Sequence, residues 1–192
     1  MNRLIRSTLV VAMLAAVAAV FVACDDTNDA QTTLSSASSG AAATESGPAE
    51  ALPANLILDK SPDGAQDVIA LQKSAKAGDT VTLRGRVGGN EKPLADNRAI
   101  VTVVDPTVTT CERMPGDACK TPWDACCEPS EKIAANSATV QVVDSSGKPL
   151  AATLESIAGL KPLSKVTVSG TARRPAGSDV LIIEAKQIHV TP

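Results

Sequence analysis

The sequence predicts a mainly β domain: a five-stranded Greek-key barrel with an N-terminal helix, a short helix between strands three and four, and a Cys-rich insertion between strands two and three. Three observations carry this. Five segments after residue 78 are rich in Val, Ile and Thr and alternate, or nearly alternate, apolar with polar residues, as half-buried strands do. Gly, Pro, Asn or Asp bounds each of them. The order of elements is helix, three strands, short helix, two strands, within a stretch of about 135 residues, the size of one ordinary domain.

The chain opens MNRLIRSTLVVAMLAAVAAVFVAC. Arg3 and Arg6 precede an apolar run of 15 residues, Leu9 to Ala23. A membrane-spanning helix needs about 20, whereas an export signal fits this length and charge. Phe21 is too bulky for the −3 position of ordinary signal cleavage before Cys24. The stretch "FVAC" instead resembles a bacterial lipobox, with Phe21 where leucine is usual. That resemblance implies that residues 1–23 are a lipoprotein signal and that Cys24 becomes the lipidated N-terminus. It places the chain in the bacterial cell envelope, lipid-anchored on an extracytoplasmic face, in either the inner or the outer membrane.

Residues 24–55 then read as the lipidated cysteine and a disordered tether. Ala, Ser, Thr, Gly, Pro and acidic residues dominate, and such a segment cannot bury enough apolar surface to offset its ordering entropy. Its mean reach is on the order of 30 Å by the random-coil relation for small-residue linkers. The domain follows over 56–192.

Ser61-Pro62-Asp63 predicts a helix start, with Ser as N-cap, Pro in the first turn and an acid beside it. Ala65, Val68, Ile69, Leu71 and Ala75 would line one side, and Gly78 would end the helix. The first strand is "DTVTLRGRV", with Val81, Leu83, Gly85 and Val87 on one face and Thr82, Arg84 and Arg86 on the other. "RAIVTVVD" and "ATVQVVD" are the second and third. "LAATLESIAGL" predicts the short helix, Leu154, Ile157 and Ala158 inward. "KVTVSGTARR" and "DVLIIEAKQIHV" are the fourth and fifth strands. Gly85 and Gly170 fall inside strands, where a bulge or a close backbone approach calls for glycine. The pattern over residues 78–190 resembles an OB-fold, a five-stranded Greek-key barrel with its helix between strands three and four.

Residues 105–137 form a long insertion between strands two and three, and a loop of that length is functional or pinned. It holds Cys111, Cys119, Cys126 and Cys127, spaced C-x7-C-x6-C-C, and the only tryptophan, Trp123. Structural zinc sites offer paired cysteines two to four residues apart, and redox sites a C-x-x-C; neither spacing is present. The only histidine, His189, lies in the last strand and reads as a surface or barrel-end residue. In an exported chain, four cysteines predict two disulfides. A Cys126–Cys127 bond would be strained, so each would bond to Cys111 or Cys119. A metal site or reactive thiols remain the alternatives. Trp123 and Asp124 are the candidate contact surface.

The segment "PGDACKTPWDACCEP" resembles a group of uncharacterised bacterial lipoproteins that pair a P-W-D-x-C-C motif with a "VVDP" strand and an OB-like core. Pro122, Trp123, Asp124, Cys126 and Cys127 carry the match, and "RGRVGG" and "GLKPL" agree with it. The resemblance implies one shared architecture and no particular activity.

Composition and motif content argue against several functions. Without Arg3 and Arg6 the chain has 16 Lys+Arg against 21 Asp+Glu, a formal −5, and past residue 23 its only aromatic side chain is Trp123. Single-strand binders stack bases on several aromatics in a basic groove, so nucleic-acid binding is the weakest reading. No Ser-His-Asp set, phosphate-cradling loop or histidine pair argues for an enzyme. The sequence therefore predicts a non-enzymatic, cofactor-free binding or scaffolding module. Its partners would be the membrane, through the lipid, and an envelope protein or small ligand. The alternative is a metal-binding or thiol-redox envelope lipoprotein using the four cysteines.

Overall fold

The computed structural model describes residues 49–116, 118–155 and 157–191. The expected signal, Cys24 and residues 25–48 of the expected tether lie outside the described residues. In chain order the elements are β1 (Gln66–Asp67), α1 (Val68–Ser74), β2 (Thr80–Val87), β3 (Ile100–Val104), α2 (Ser130–Ala135), β4 (Ser137–Gln141), β5 (Lys165–Arg173) and β6 (Ile182–Thr191).

The strands close on themselves. β2 pairs with β3, β3 with β4, β4 with β6, β6 with β5, and β5 returns to β2. Only the β4–β6 contact in this ring is parallel. β1 adds a two-residue parallel extension to β2. The result is a mainly β domain around a closed five-stranded barrel, with few helices. Closure leaves the ring no free edge to template pairing with another chain.

The barrel fills itself with aliphatic side chains. Along β2, Val81, Leu83, Gly85 and Val87 are buried while Thr80 and Arg84 are exposed, the period-2 pattern that a strand imposes. Val101 and Val103 of β3, Val140 of β4, Val166 and Val168 of β5, and Ile183 and Ile188 of β6 join them in one core. Leu56, the α1 residues Val68 and Leu71, and Leu154, Leu160 and Leu181 from the connections belong to the same core. The N-terminal segment runs along β6, with Leu58 N–H donating to the Ile188 carbonyl at 2.9 Å. Packing begins earlier still, since Glu50 exchanges hydrogen bonds with the Ala151 backbone at 3.0 and 2.6 Å.

Both helices differ from their sequence expectations. α1 starts at Val68 rather than after Ser61. Gly64 lies in the left-handed region at φ 72°, which breaks any helix running from Ser61. Gln66 and Asp67 are committed instead to β-pairing with Leu83 and Arg84. The helix ends at Ser74, before Gly78. Its open carbonyls are taken by Arg174, which donates to the Gln72 carbonyl at 2.6 Å and the Ala75 carbonyl at 3.0 Å, as a cation at a helix C-terminus should. The expected helix over 150–160 is reduced to a 3-10 turn, Ile157–Gly159. Its first residue is spent elsewhere: Leu150 N–H donates to the Val142 carbonyl at 3.0 Å, and a bridge joins Val143 to Pro149. The Thr153 hydroxyl then accepts the Glu155 N–H at 3.1 Å, a side-chain turn that competes with helix.

Candidate thiol site in the cysteine loop

The insertion leaves the barrel after Val104 and returns at Ser137, and those two residues are paired across β3 and β4. It has a small core of its own: Val104, Val108 and Ala125 are buried together, with Ile133 of α2 packed on them. The sequence did not suggest α2, whose six residues lie in the second arm of the loop.

The two arms then pair backbone to backbone. Cys111 N–H donates to the Asp124 carbonyl at 2.8 Å, and Glu112 N–H to the Pro122 carbonyl at 2.9 Å. This brings the 3-10 turn Cys111–Arg113 against the P-W-D-A-C-C segment. Three ties hold the assembly to the barrel. Arg86 of β2 pairs with Glu112 and also donates to the Leu163 carbonyl at 3.3 Å. Gly89 N–H donates to the Trp123 carbonyl at 2.8 Å, and the Trp123 indole N–H to the Glu91 carbonyl at 2.9 Å. The approach is close enough that a Cβ on Gly88 would lie 2.6 Å from the Trp123 carbonyl oxygen, which gives "RGRVGG" a physical reason.

Trp123 and Asp124, the expected contact surface, are half-buried. Both are engaged in holding the loop, Asp124 through its own backbone and through the Ala125 N–H that its carboxylate accepts at 2.7 Å.

The two disulfides expected from the sequence are not formed in this structure. The sulfurs nevertheless converge. Cys111, Cys119 and Cys126 place their Sγ atoms within 4.8 Å of one another, and Cys111 and Cys126 are 3.5 Å apart. Cys127 Sγ lies 4.0 Å from Cys126 Sγ and is not one of the converging three. No histidine nitrogen or carboxylate oxygen joins that group among the described residues. The three grade in exposure: Cys111 is buried, Cys119 half-buried and Cys126 exposed, as is Cys127. Burial, then hydrogen bonding from Cys126 and Cys119 and their charge, pushes the Cys111 thiol up to about 12. Cys111 is thus a poor nucleophile by itself. His189 sits in β6 opposite Thr167 of β5.

Fold and site together define a class: an aliphatic five-stranded barrel bearing a thiol-rich insertion. No family pattern and no curated protein matches the chain. Among solved structures it is similar to part of a protein described as an aspartyl-tRNA synthetase from Leishmania major Friedlin, at 13% identity and a TM-score of 0.34, over 73% of this chain. The chain spans only 23% of that protein's length, and a likeness at this score carries no argument about activity.

Proposed function

We propose that this chain is a lipid-anchored, extracytoplasmic module whose barrel is OB-like and whose cysteine loop binds a thiophilic metal ion. The single observation that carries the metal reading is the mutual approach of Cys111, Cys119 and Cys126 to within 4.8 Å. Thiolates about 2.3 Å from a shared tetrahedral ion stand roughly 3.8 Å apart, so the sulfurs are near ligand spacing before any ion binds. The OB-like reading is supported by the ring order, in which the last barrel strand, β6, inserts between β4 and β5. The lipid anchor rests on the N-terminal sequence. Nucleic-acid binding and catalysis are not proposed, because the charge and aromatic content oppose the first and no acid–base constellation supports the second.

Native mass spectrometry of the purified full-length lipoprotein, in which the lipid would block the Cys24 thiol and leave four cysteines, paired with alkylation in the absence of reductant, tests this. A bound soft metal that shields three thiols, and four alkylated cysteines after chelation, is the expected result. A mass lower by about four hydrogens, with no alkylation and no metal, would mean two disulfides instead.

That second result would return the loop to the stapled-scaffold reading, which the 3.5 Å Cys111–Cys126 approach favours. On that reading Trp123 contributes to a surface for an envelope partner or small ligand. Trp123→Ala is then expected to weaken partner capture while circular dichroism and the melting transition of the barrel stay nearly unchanged. Global unfolding of the variant would make Trp123 a core anchor and remove it from the contact surface.

A further inference from the structure

We infer that the loop's cargo is monovalent copper, held by Cys111, Cys119 and Cys126, with Cys127 as the sulfur through which the ion enters and leaves. The inference rests on the metal reading above and narrows it. The donor set is all sulfur, without an imidazole or carboxylate in the group. Such sets select soft ions, namely Cu(I), zinc or iron–sulfur clusters. Structural zinc closes a tetrahedron of four protein ligands, and catalytic zinc with three protein ligands draws on histidine, with glutamate or cysteine, and an open position. Neither description fits the three converging sulfurs by themselves; a zinc tetrahedron would have to recruit Cys127, whose Sγ lies 4.0 Å from that of Cys126 but outside the converging group. Cu(I) has a filled d shell and accepts a trigonal sulfur environment.

The exposure gradient gives the direction of traffic. Cys111 lies at the buried base of the site, while Cys126 and Cys127 face solvent. The 4.0 Å between Cys126 and Cys127 is short enough for an ion to pass between them by ligand exchange, without travelling unbound through water. Binding is a proton-for-metal exchange: Cu(I) forms Cu–S bonds as thiol S–H bonds break, the protons go to solvent, and no electron moves.

The test uses the reduced full chain under anaerobic conditions. Cu(I) and Zn(II) are each titrated against a chromophoric chelator, and X-ray absorption counts the sulfurs around bound copper. The expected result is one Cu(I) per chain with three sulfur neighbours, bound far more tightly than zinc. Cys126 is exposed, so Cys126→Ser removes a ligand without opening the core. It should lower Cu(I) affinity by more than roughly 100-fold, at least the loss seen when an outer-shell partner is removed. Cys127→Ser should leave the equilibrium affinity unchanged and slow copper transfer to the chelator. Tight zinc binding through four sulfurs, abolished by Cys127→Ser, would overturn the copper inference and leave the metal reading standing. Failure to bind either ion would overturn both.

Discussion

Gly170→Ala is expected to abolish folding of the barrel, or to lower its melting temperature by roughly 10 °C, if a loss of about 3 kcal/mol is converted at the rate typical of a domain this size. A Cβ at Gly170 would lie 2.2 Å from the Glu184 carbonyl oxygen, 2.9 Å from its carbon and 3.1 Å from the Ala185 Cα. All three are backbone atoms, so no side chain can rotate away. The position also marks the register shift between β5 and β6, at Ser169/Gly170. Extra volume there has only the ladder itself to displace. Thermal denaturation of the variant beside Ser169→Ala is the measurement. The latter loses only a part-buried hydroxyl bond to Gln187 at 3.3 Å and should melt within a few degrees of the wild type. A Gly170→Ala protein with wild-type stability would mean that β5 and β6 meet differently.

The second large effect is expected at Asp105, which is 2% exposed. One carboxylate oxygen accepts the Ile69 N–H of α1 at 3.0 Å. The other accepts the Thr107 N–H at 3.0 Å and the Thr107 hydroxyl at 2.7 Å. Its own N–H donates to the Asn136 carbonyl at 2.9 Å, across the root of the insertion. One residue therefore joins the start of α1, the first turn of the loop and the loop's return. Asp105→Ala removes three hydrogen bonds to a buried carboxylate; Ile69 is half-buried and Thr107 exposed, so water recovers part of each, and the loss should be about 3 kcal/mol. Urea denaturation should show a lower midpoint. Hydrogen exchange should show faster exchange at Ile69, Thr107 and the 111–124 arm contacts than in the rest of the barrel. Asp105→Asn is the informative partner, since an amide keeps one acceptor oxygen and should recover only part of the loss. An unchanged exchange pattern in Asp105→Ala would show that the loop is positioned without it.

The barrel was legible because its signals are local. Alternation in "DTVTLRGRV" marked the inward faces of Val81, Leu83 and Val87, and the glycines at 85 and 170 stood out inside strands. The helix starts misled for the same reason: Ser61-Pro62-Asp63 is a good local cap, but the backbone at Gly64 and the pairing of Gln66 and Asp67 with β2 override it. Arg174 as the cap of α1 had no sequence signal, because its partners lie about a hundred residues away. The thiol triad was hidden by distance of another kind. Gaps of seven and six residues are too long for one turn to present two sulfurs, so spacing argued against a shared centre. Backbone pairing of residues 111–112 with 122 and 124 folds the loop back on itself, and this brings Cys111 and Cys126 together. The local signals in the sequence are the adjacent turn formers Pro115 and Gly116, which allow the reversal without specifying it.

The pairing of Val104 with Ser137 at the root of the insertion makes the insertion a cassette. Its entry and exit stand side by side on neighbouring strands, where an ordinary hairpin turn would fit. The barrel's register therefore does not depend on how much chain lies between them. Lengthening, shortening or recoding residues 106–135 leaves the ring of strands topologically intact, so long as the Asp105 and Asn136 root is kept. A single stable frame of this kind can exchange one inserted loop for another without having to learn a new way to fold.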